Sequence, residues 1–391
     1  MISSVLLLLL SLAPYLVKSF SPTERALLPH SSSSRARRQS TTTRLRSATT
    51  TTVAPQSPSP SPSSSPQLLT FREPQTNVTV VLVGAMHYNP ASIALAAQTV
   101  RDLAEQGTLG SVIVEQCDIR WNKTIELLRE KPYLESIYKK VLVNEMRVAC
   151  DTALAYQRPV ILGDQRINIT FASIQDTAKQ TIVDLITPPE GWKNFYSDIQ
   201  QSFRDSVPLG EGYLSAFSLL NTRLMLAAPA SLVRYPLSFL VRNPVTTTIA
   251  ISVLCGLNLL DQASIDNLVT GEASAADLAV SLLISLLETV FIARLFLKPM
   301  LAERNVVLAQ NILEQCKVYR QKEWWHSFPF SSNIRANEQP GAGLLEILYA
   351  PESMDAGVST TNNDSNAKVI VAVLGMAHCN GVKKLLVERR V

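Results

Sequence analysis

VVLVGAMHYNPAS, residues 80–92, opens with an apolar run that stops at Gly84, and a histidine, His87, follows three residues later. VIVAVLGMAHCNG, residues 369–381, repeats the pattern with Gly375 and His378. The chain holds only four histidines, so half of them stand at the same offset from a glycine that closes an apolar run. Runs that are apolar at every position, rather than at alternate ones, suit parallel strands covered by helices on both faces. SVIVEQ (111–116) and PVILGDQ (159–165) read the same way. Between them lie helical patterns: PASIALAAQTVRDLAEQG (90–107), with proline near its start and glycine at its end, and PYLESIYKKVLVNEMRVACDTALAYQ (132–157), which reads as one long helix. The expected fold is α/β, a mostly parallel sheet covered by helices.

Each run has a polar residue at or just past its carboxyl end: His87, Glu115, Asp164 and His378. Open α/β sheets bind ligands in the crevice outside the carboxyl ends of their strands. Two imidazoles and a carboxylate arriving there suit a divalent cation such as zinc, manganese, cobalt or iron. Gly84 and Gly375 are expected to let the chain turn sharply, so that each histidine points back over the sheet edge. The plain alternatives are a structural Glu115 paired with Arg120, and an Asp164 that caps the next segment.

Charge excludes one class of partner. The first 66 residues hold seven of the 36 basic groups and one of the 32 acidic groups, which leaves 29 basic and 31 acidic groups in the remainder. No basic patch is left to argue for nucleic acid. The five cysteines are scattered and odd in number, which fits neither a disulfide framework nor a zinc ribbon.

Residues 1–19 read as a secretory signal peptide, and residues 20–66, rich in Ser, Thr and Arg, as a disordered transit-like segment. Together, with Phe20 at the junction, they resemble the bipartite plastid presequence of algae with complex plastids. The alternative is a secreted or endomembrane protein with a Ser/Thr stalk. Residues 67–391 then form the α/β domain, interrupted at 243–298 by an apolar helical hairpin. Its arms, NPVTTTIAISVLCGLNLLD (243–261) and ADLAVSLLISLLETVFIARLFLKP (276–299), approach the length of a membrane span. Arg234 and Arg242 precede the hairpin, and Arg294 and Lys298 lie at its far end, which fits the positive-inside tendency. Two helices packed against the sheet or in a homo-oligomer interface are the competing view. KPMLAERNVVLAQNILEQCKVYRQKEWW (298–325) reads as an amphipathic helix with Glu303 and Arg304 in its first turn, in reach of a neighbouring site. His326, beside two tryptophans, reads as a packed side chain.

The segments VVLVGAMHYNPAS, VIVEQCDIR, RVACDTALAYQRPVILGDQRINIT, AERNVVLAQNIL and VIVAVLGMAHCNGVKKLL together resemble the TraB family, which includes the TraB and PrgY regulators and is related to the Tiki proteins. The resemblance implies that His87, His378 and Glu115 are active-site and metal-binding residues, with Arg120 beside them and Glu303, Arg304 and Asn305 as a further family segment. Arg166, two residues after Asp164 in the same matched stretch, is an additional candidate. Tiki relatives are described as metal-dependent proteases, and more distant relatives include haem-uptake and esterase-like proteins. Two departures stand out: GAMH replaces the more usual GTAH, and the apolar insertion separates the shared segments. The expected function is metal-dependent hydrolysis of a peptide or small ester at a membrane. The alternative is a non-enzymatic regulator that binds a ligand or partner through the same strand ends.

Overall fold

Val80, Leu82, Ile370, Ala372, Leu374 and Ile113 pack into one hydrophobic cluster, while Val81, Val83, Val371, Val373, Val112 and Val114 pack into another. Successive strand residues thus serve opposite faces of one sheet, which explains why these runs tolerate no polar position. Each fully buried Val, Leu or Ile is worth about 1.5–3 kcal/mol. The computed structural model describes residues 65–208, 210–245, 247–248, 252, 275–325, 346–349 and 369–388. Nearly all of the leader expected over 1–66, most of the first hairpin arm and His326 lie outside those residues.

The strands are β1 (Leu68–Arg72), β2 (Thr79–Ala85), β3 (Leu109–Val114), β4 (Val160–Leu162), β5 (Glu346–Tyr349) and β6 (Val369–Gly375). They form one sheet in the order β1-β2-β6-β3-β4-β5. The four inner strands run parallel, and β1 and β5 close the edges antiparallel. The sheet is therefore mostly parallel. Helices α1 (Pro90–Glu105), α2 (Asp118–Glu130), α3 (Tyr133–Lys140) and α4 (Glu145–Ala155) precede β4. Then come α5 (Ile167–Ile186), α6 (Glu190–Ser206), α7 (Thr222–Arg242), α8 (Ala275–Leu295), a π-helical turn (Phe296–Ala302), α9 (Glu303–Trp325) and α10 (Met376–Glu388). Helices α1 and α4 contribute to one face of the core, and α9 and α10 to the other.

Helix α1 starts as its sequence suggests. Asn89 caps it by accepting from the Ala91 N–H, Pro90 opens it, and Gly107 leaves it with φ +68°, a conformation costly for any other residue. The long helix expected over 132–157 is two helices, with residues 141–144 between them. Asn144 breaks it, since its side chain caps α4 by accepting from the Arg147 N–H at 2.8 Å. That break places Glu145 at the first position of a helix instead of mid-helix.

The apolar middle also differs from expectation. Two helical stretches, Thr222–Arg242 and Ala279–Arg320, are long and apolar enough to cross a membrane. The first lies just upstream of the expected arm at 243–261 and carries Arg234 and Arg242, which do precede that arm; most of the arm itself lies outside the described residues. The second arm is α8, which runs on through the π-helical turn into α9, so the helix expected over 298–325 has no separate start. Arg294 is buried, with 1% of its surface exposed, and pairs with Asp184 and Asp198 at 2.6 Å each; Lys298 reaches Asp198 at 2.8 Å. These two cations therefore fasten α8 to α5 and α6.

Candidate functional site

The register of β2 against β6 sets Gly84 beside Leu374 and Ala85 beside Gly375. The two motifs that open and close the sequence reading are therefore neighbours. Residues just past the carboxyl ends of four adjacent strands then stand in a row: His87 after β2, His378 in the first turn of α10 after β6, Glu115 after β3, and Asp164 after β4.

Gly375 lies at the centre. A Cβ built on it would sit 3.1 Å from Glu115 Oε2, 3.3 Å from His87 Nε2 and 3.6 Å from His378 Cδ2. Both motif glycines belong to their strands, and neither has a positive φ, so the sharp turn expected of them is not their role. Gly84 is small because Leu214, Cys379 and the Gln67 carbonyl crowd it; Gly375 is small because the site occupies the space a side chain would fill. Gly375→Ala is expected to cost about 1–3 kcal/mol through overpacking, read as a lowered denaturant midpoint with an unchanged slope. An unaltered midpoint would mean that the three side chains are not held around this position.

Each imidazole is gripped at Nδ1. His87 Nδ1 faces Glu145 Oε1 at 2.5 Å, and Glu145, 1% exposed, also accepts from the Tyr88 N–H at 3.1 Å. His378 Nδ1 faces Asn305 Oδ1 at 2.7 Å. With oxygen acceptors at both, Nδ1 carries the proton in each ring. Both Nε2 atoms are left directed at the site, His87 Nε2 towards Gly375 and His378 Nε2 3.4 Å from Glu115 Oε1. Tyr88 holds φ +60°, a conformation rare for an aromatic residue, immediately after His87. Tyr235 of α7 stacks on the His87 ring at 6.2 Å between centroids, and 37% of the His87 side chain stays exposed.

Glu115 is buried among charges. Its Oε1 accepts from Arg304 Nη2 at 2.5 Å, and its Oε2 from the Gly375 N–H at 2.5 Å. Burial pushes its carboxyl pKa up, but the fields of His378 and Arg304, the His378 contact and the field of His87 carry it well below the usual range. For His87, burial pulls the pKa down, but the Glu145 hydrogen bond and the fields of Glu115 and Glu145 outweigh it and leave it raised. Arg304 also grips Asp164, from Nε at 3.0 Å and Nη2 at 2.8 Å, and Arg120 donates to the same carboxylate.

The candidates divide accordingly. His87, His378, Glu115, Arg304, Asp164 and Arg120 are brought together. Arg120 pairs with Asp164 and not with Glu115. Asp164 bonds the Gln165 N–H, but α5 begins later, with Arg166 at its cap position, so Asp164 is an ion-pair hub and does not cap the helix. Glu303 points away and accepts from Ser173 of α5, because the residue before Arg304 faces a different side of the helix. Arg166 pairs with Asp118 at 2.9 Å, beside the site. Glu145 and Tyr235 were not anticipated, and Asn305 had no assigned task. Glu145 alone left a signal, the Asn-Glu step of a helix start.

Among the described residues, no group of three His, Cys, Asp or Glu side chains is arranged to hold a metal ion as it stands. The donor types nevertheless suit one: each imidazole has its far nitrogen held by an oxygen, the arrangement that orients metal-binding histidines. The buried Asn305 Nδ2 has no hydrogen-bond partner. No family model, curated protein or solved structure matches the chain.

Proposed function

We propose that this chain is a membrane-associated, metal-dependent hydrolase of peptide or ester bonds, of the TraB and Tiki-like type. His87 and His378 would hold a divalent cation through Nε2, with Glu115 as third ligand or as the base that takes a proton from water. The observation that carries this reading is the pair of Nδ1 contacts, from Glu145 and from Asn305, which leave both Nε2 lone pairs aimed at one small space beside Glu115. Zinc, manganese, cobalt and iron all suit such donors. When bound, the ion supplies an acidified water and a polarised carbonyl.

The chain's own residues have separate tasks. Glu145 keeps the His87 proton on Nδ1, and Asn305 does the same for His378. Arg304 keeps Glu115 ionised, and Asp164, backed by Arg120, sets the position of Arg304. Arg120 and Arg304 are thus positioning residues. Gly375 keeps the space clear.

Metal analysis of the purified full chain tests the reading. A retained divalent ion is expected, and His87→Ala or His378→Ala should each remove it, with a loss of at least ten-fold in metal affinity. Undiminished metal content in both variants would discard the hydrolase. A second reading, a non-enzymatic protein that binds a ligand or partner, draws on the occupation of both Glu115 oxygens by Arg304 and the Gly375 N–H. In that case ligand binding survives metal stripping. The leader at residues 1–66 supports delivery to a complex plastid, with the endomembrane system or secretion as the alternative, and a fluorescent reporter fused to it distinguishes them. Homo-oligomer formation is left to a sedimentation measurement.

A further inference from the structure

The geometry points to helix α7 lying flat on a membrane surface, with its outer face in the lipid interface and its inner face across the mouth of the site. By length and composition α7 passes for a span, but its contacts forbid one. Leu224, near its start, is fully buried, and its carbonyl accepts from Asn89 Nδ2 at 3.1 Å. Ser231 and Ser238 follow at intervals of seven residues, both buried. Tyr235 stacks on His87, and Arg242, at the helix end, reaches the Tyr138 hydroxyl at 3.3 Å. One residue further, Asn243 accepts from Lys123 at 3.2 Å. The helix is therefore tied to the α/β domain at its start, middle and end. A spanning helix must leave its domain at one end to cross about 30 Å of hydrocarbon.

The opposite face is apolar throughout. At 100° per residue, Met225, Leu226, Leu232, Val233 and Leu240 share it with the two prolines. Leu226, Leu232 and Val233 are 79%, 75% and 65% exposed. The only charges on α7 are Arg223, Arg234 and Arg242, and it carries no carboxylate. Arg223 and Arg234 border this face on one side, and an apolar face with a cationic border is the pattern of a helix bound in the plane of an anionic lipid surface. A second copy of the chain fits less well, because it would bring the same unbalanced cations together. Helix α8 is also apolar where exposed, at Val280, Leu282, Leu283, Leu286 and Ile292. If the metallohydrolase reading holds, a ligand reaches His87 past Tyr235 from the lipid side.

Spin-label depth measurements decide the orientation without reference to catalysis. The full chain carrying Cys255→Ser and one of Leu226→Cys, Val233→Cys or Leu240→Cys is labelled with a nitroxide. It is then bound to vesicles of phosphatidylcholine with phosphatidylglycerol. Power saturation with oxygen and a water-soluble nickel chelate should put all three labels at one shallow depth, about 5–10 Å below the headgroups. Depths that run from one leaflet towards the other would overturn the flat orientation in favour of a span. Full nickel access at all three sites would overturn lipid contact, and spin–spin broadening between chains would assign the face to a second copy.

Discussion

Arg304→Met is expected to lower folding stability by about 3–5 kcal/mol, the cost of leaving buried charge without its partner. Arg304 neutralises Glu115 and Asp164 together, and both carboxylates are nearly inaccessible to water. Replacing the arginine with an apolar side chain of similar reach keeps the packing and removes only the charge and its donors. Denaturant unfolding of the full chain measures the loss. Adding Glu115→Gln to Arg304→Met should return most of it, since Glu115 is the carboxylate left without its arginine, whereas Asp164 keeps Arg120. A single-variant loss below about 1 kcal/mol, the range of solvent-exposed pairs, would show that the network is not buried as described.

The same network sets a response to acid. The folded pKa of Glu115 lies below its unfolded value, so its contribution is fully present above the unfolded pKa of about 4.3. It is lost as pH falls below that value towards the folded one. Arg304→Met should flatten this acid limb, because one of the two leading sources of the depression has been removed. Stability measured at neutral and at acidic pH, for both proteins, gives the comparison.

Arg294→Met is expected to cost a similar amount, about 3–5 kcal/mol, and to release α8 from the domain. Arg294 lies over the Phe195 ring at 5.2 Å and donates to Thr181, Asp184 and Asp198. The two acids are not equivalent. Lys298 still reaches Asp198 after the substitution, whereas Asp184, 3% exposed at its side chain, keeps only the Gln180 amide at 2.8 Å. Asp184→Asn should therefore rescue Arg294→Met better than Asp198→Asn does. Unfolding midpoints and limited proteolysis near residues 275–295 report on the two consequences, and equal rescue by both would contradict the assignment of the partners.

The sheet was legible because its chemistry is local. Unbroken runs such as Val80–Val83 and Val369–Leu374 carry no polar residue that a solvent-facing strand would need, and the polar residue that ends each run marks the rim. His87, Glu115, Asp164 and His378 were found on that basis alone. Arg304 entered through its place in a helix's first turn and through family likeness, but its partnership with two acids depends on how α9 crosses the sheet, which no spacing encodes. Glu145 was hidden inside what read as a continuous helix. Only the Asn144 cap, worth about 1 kcal/mol, separates that reading from the real helix start. Tyr235 lies upstream of the expected hairpin, on a helix that no motif in the sequence announces. The glycines were assigned the wrong task because a sequence shows that a side chain is missing, but not what fills its place.

The placement of β6 between β2 and β3 governs how this protein is made. Its neighbours end at Ala85 and Val114, yet β6 begins only at Val369. During synthesis those neighbours wait with an unfilled slot between them, their inner edges open to stray pairing. Native closure requires bringing distant sequence together, which is slow. The sheet thus stays open until β6 arrives, and the insertion of that strand joins its two halves and delivers the second imidazole in one event.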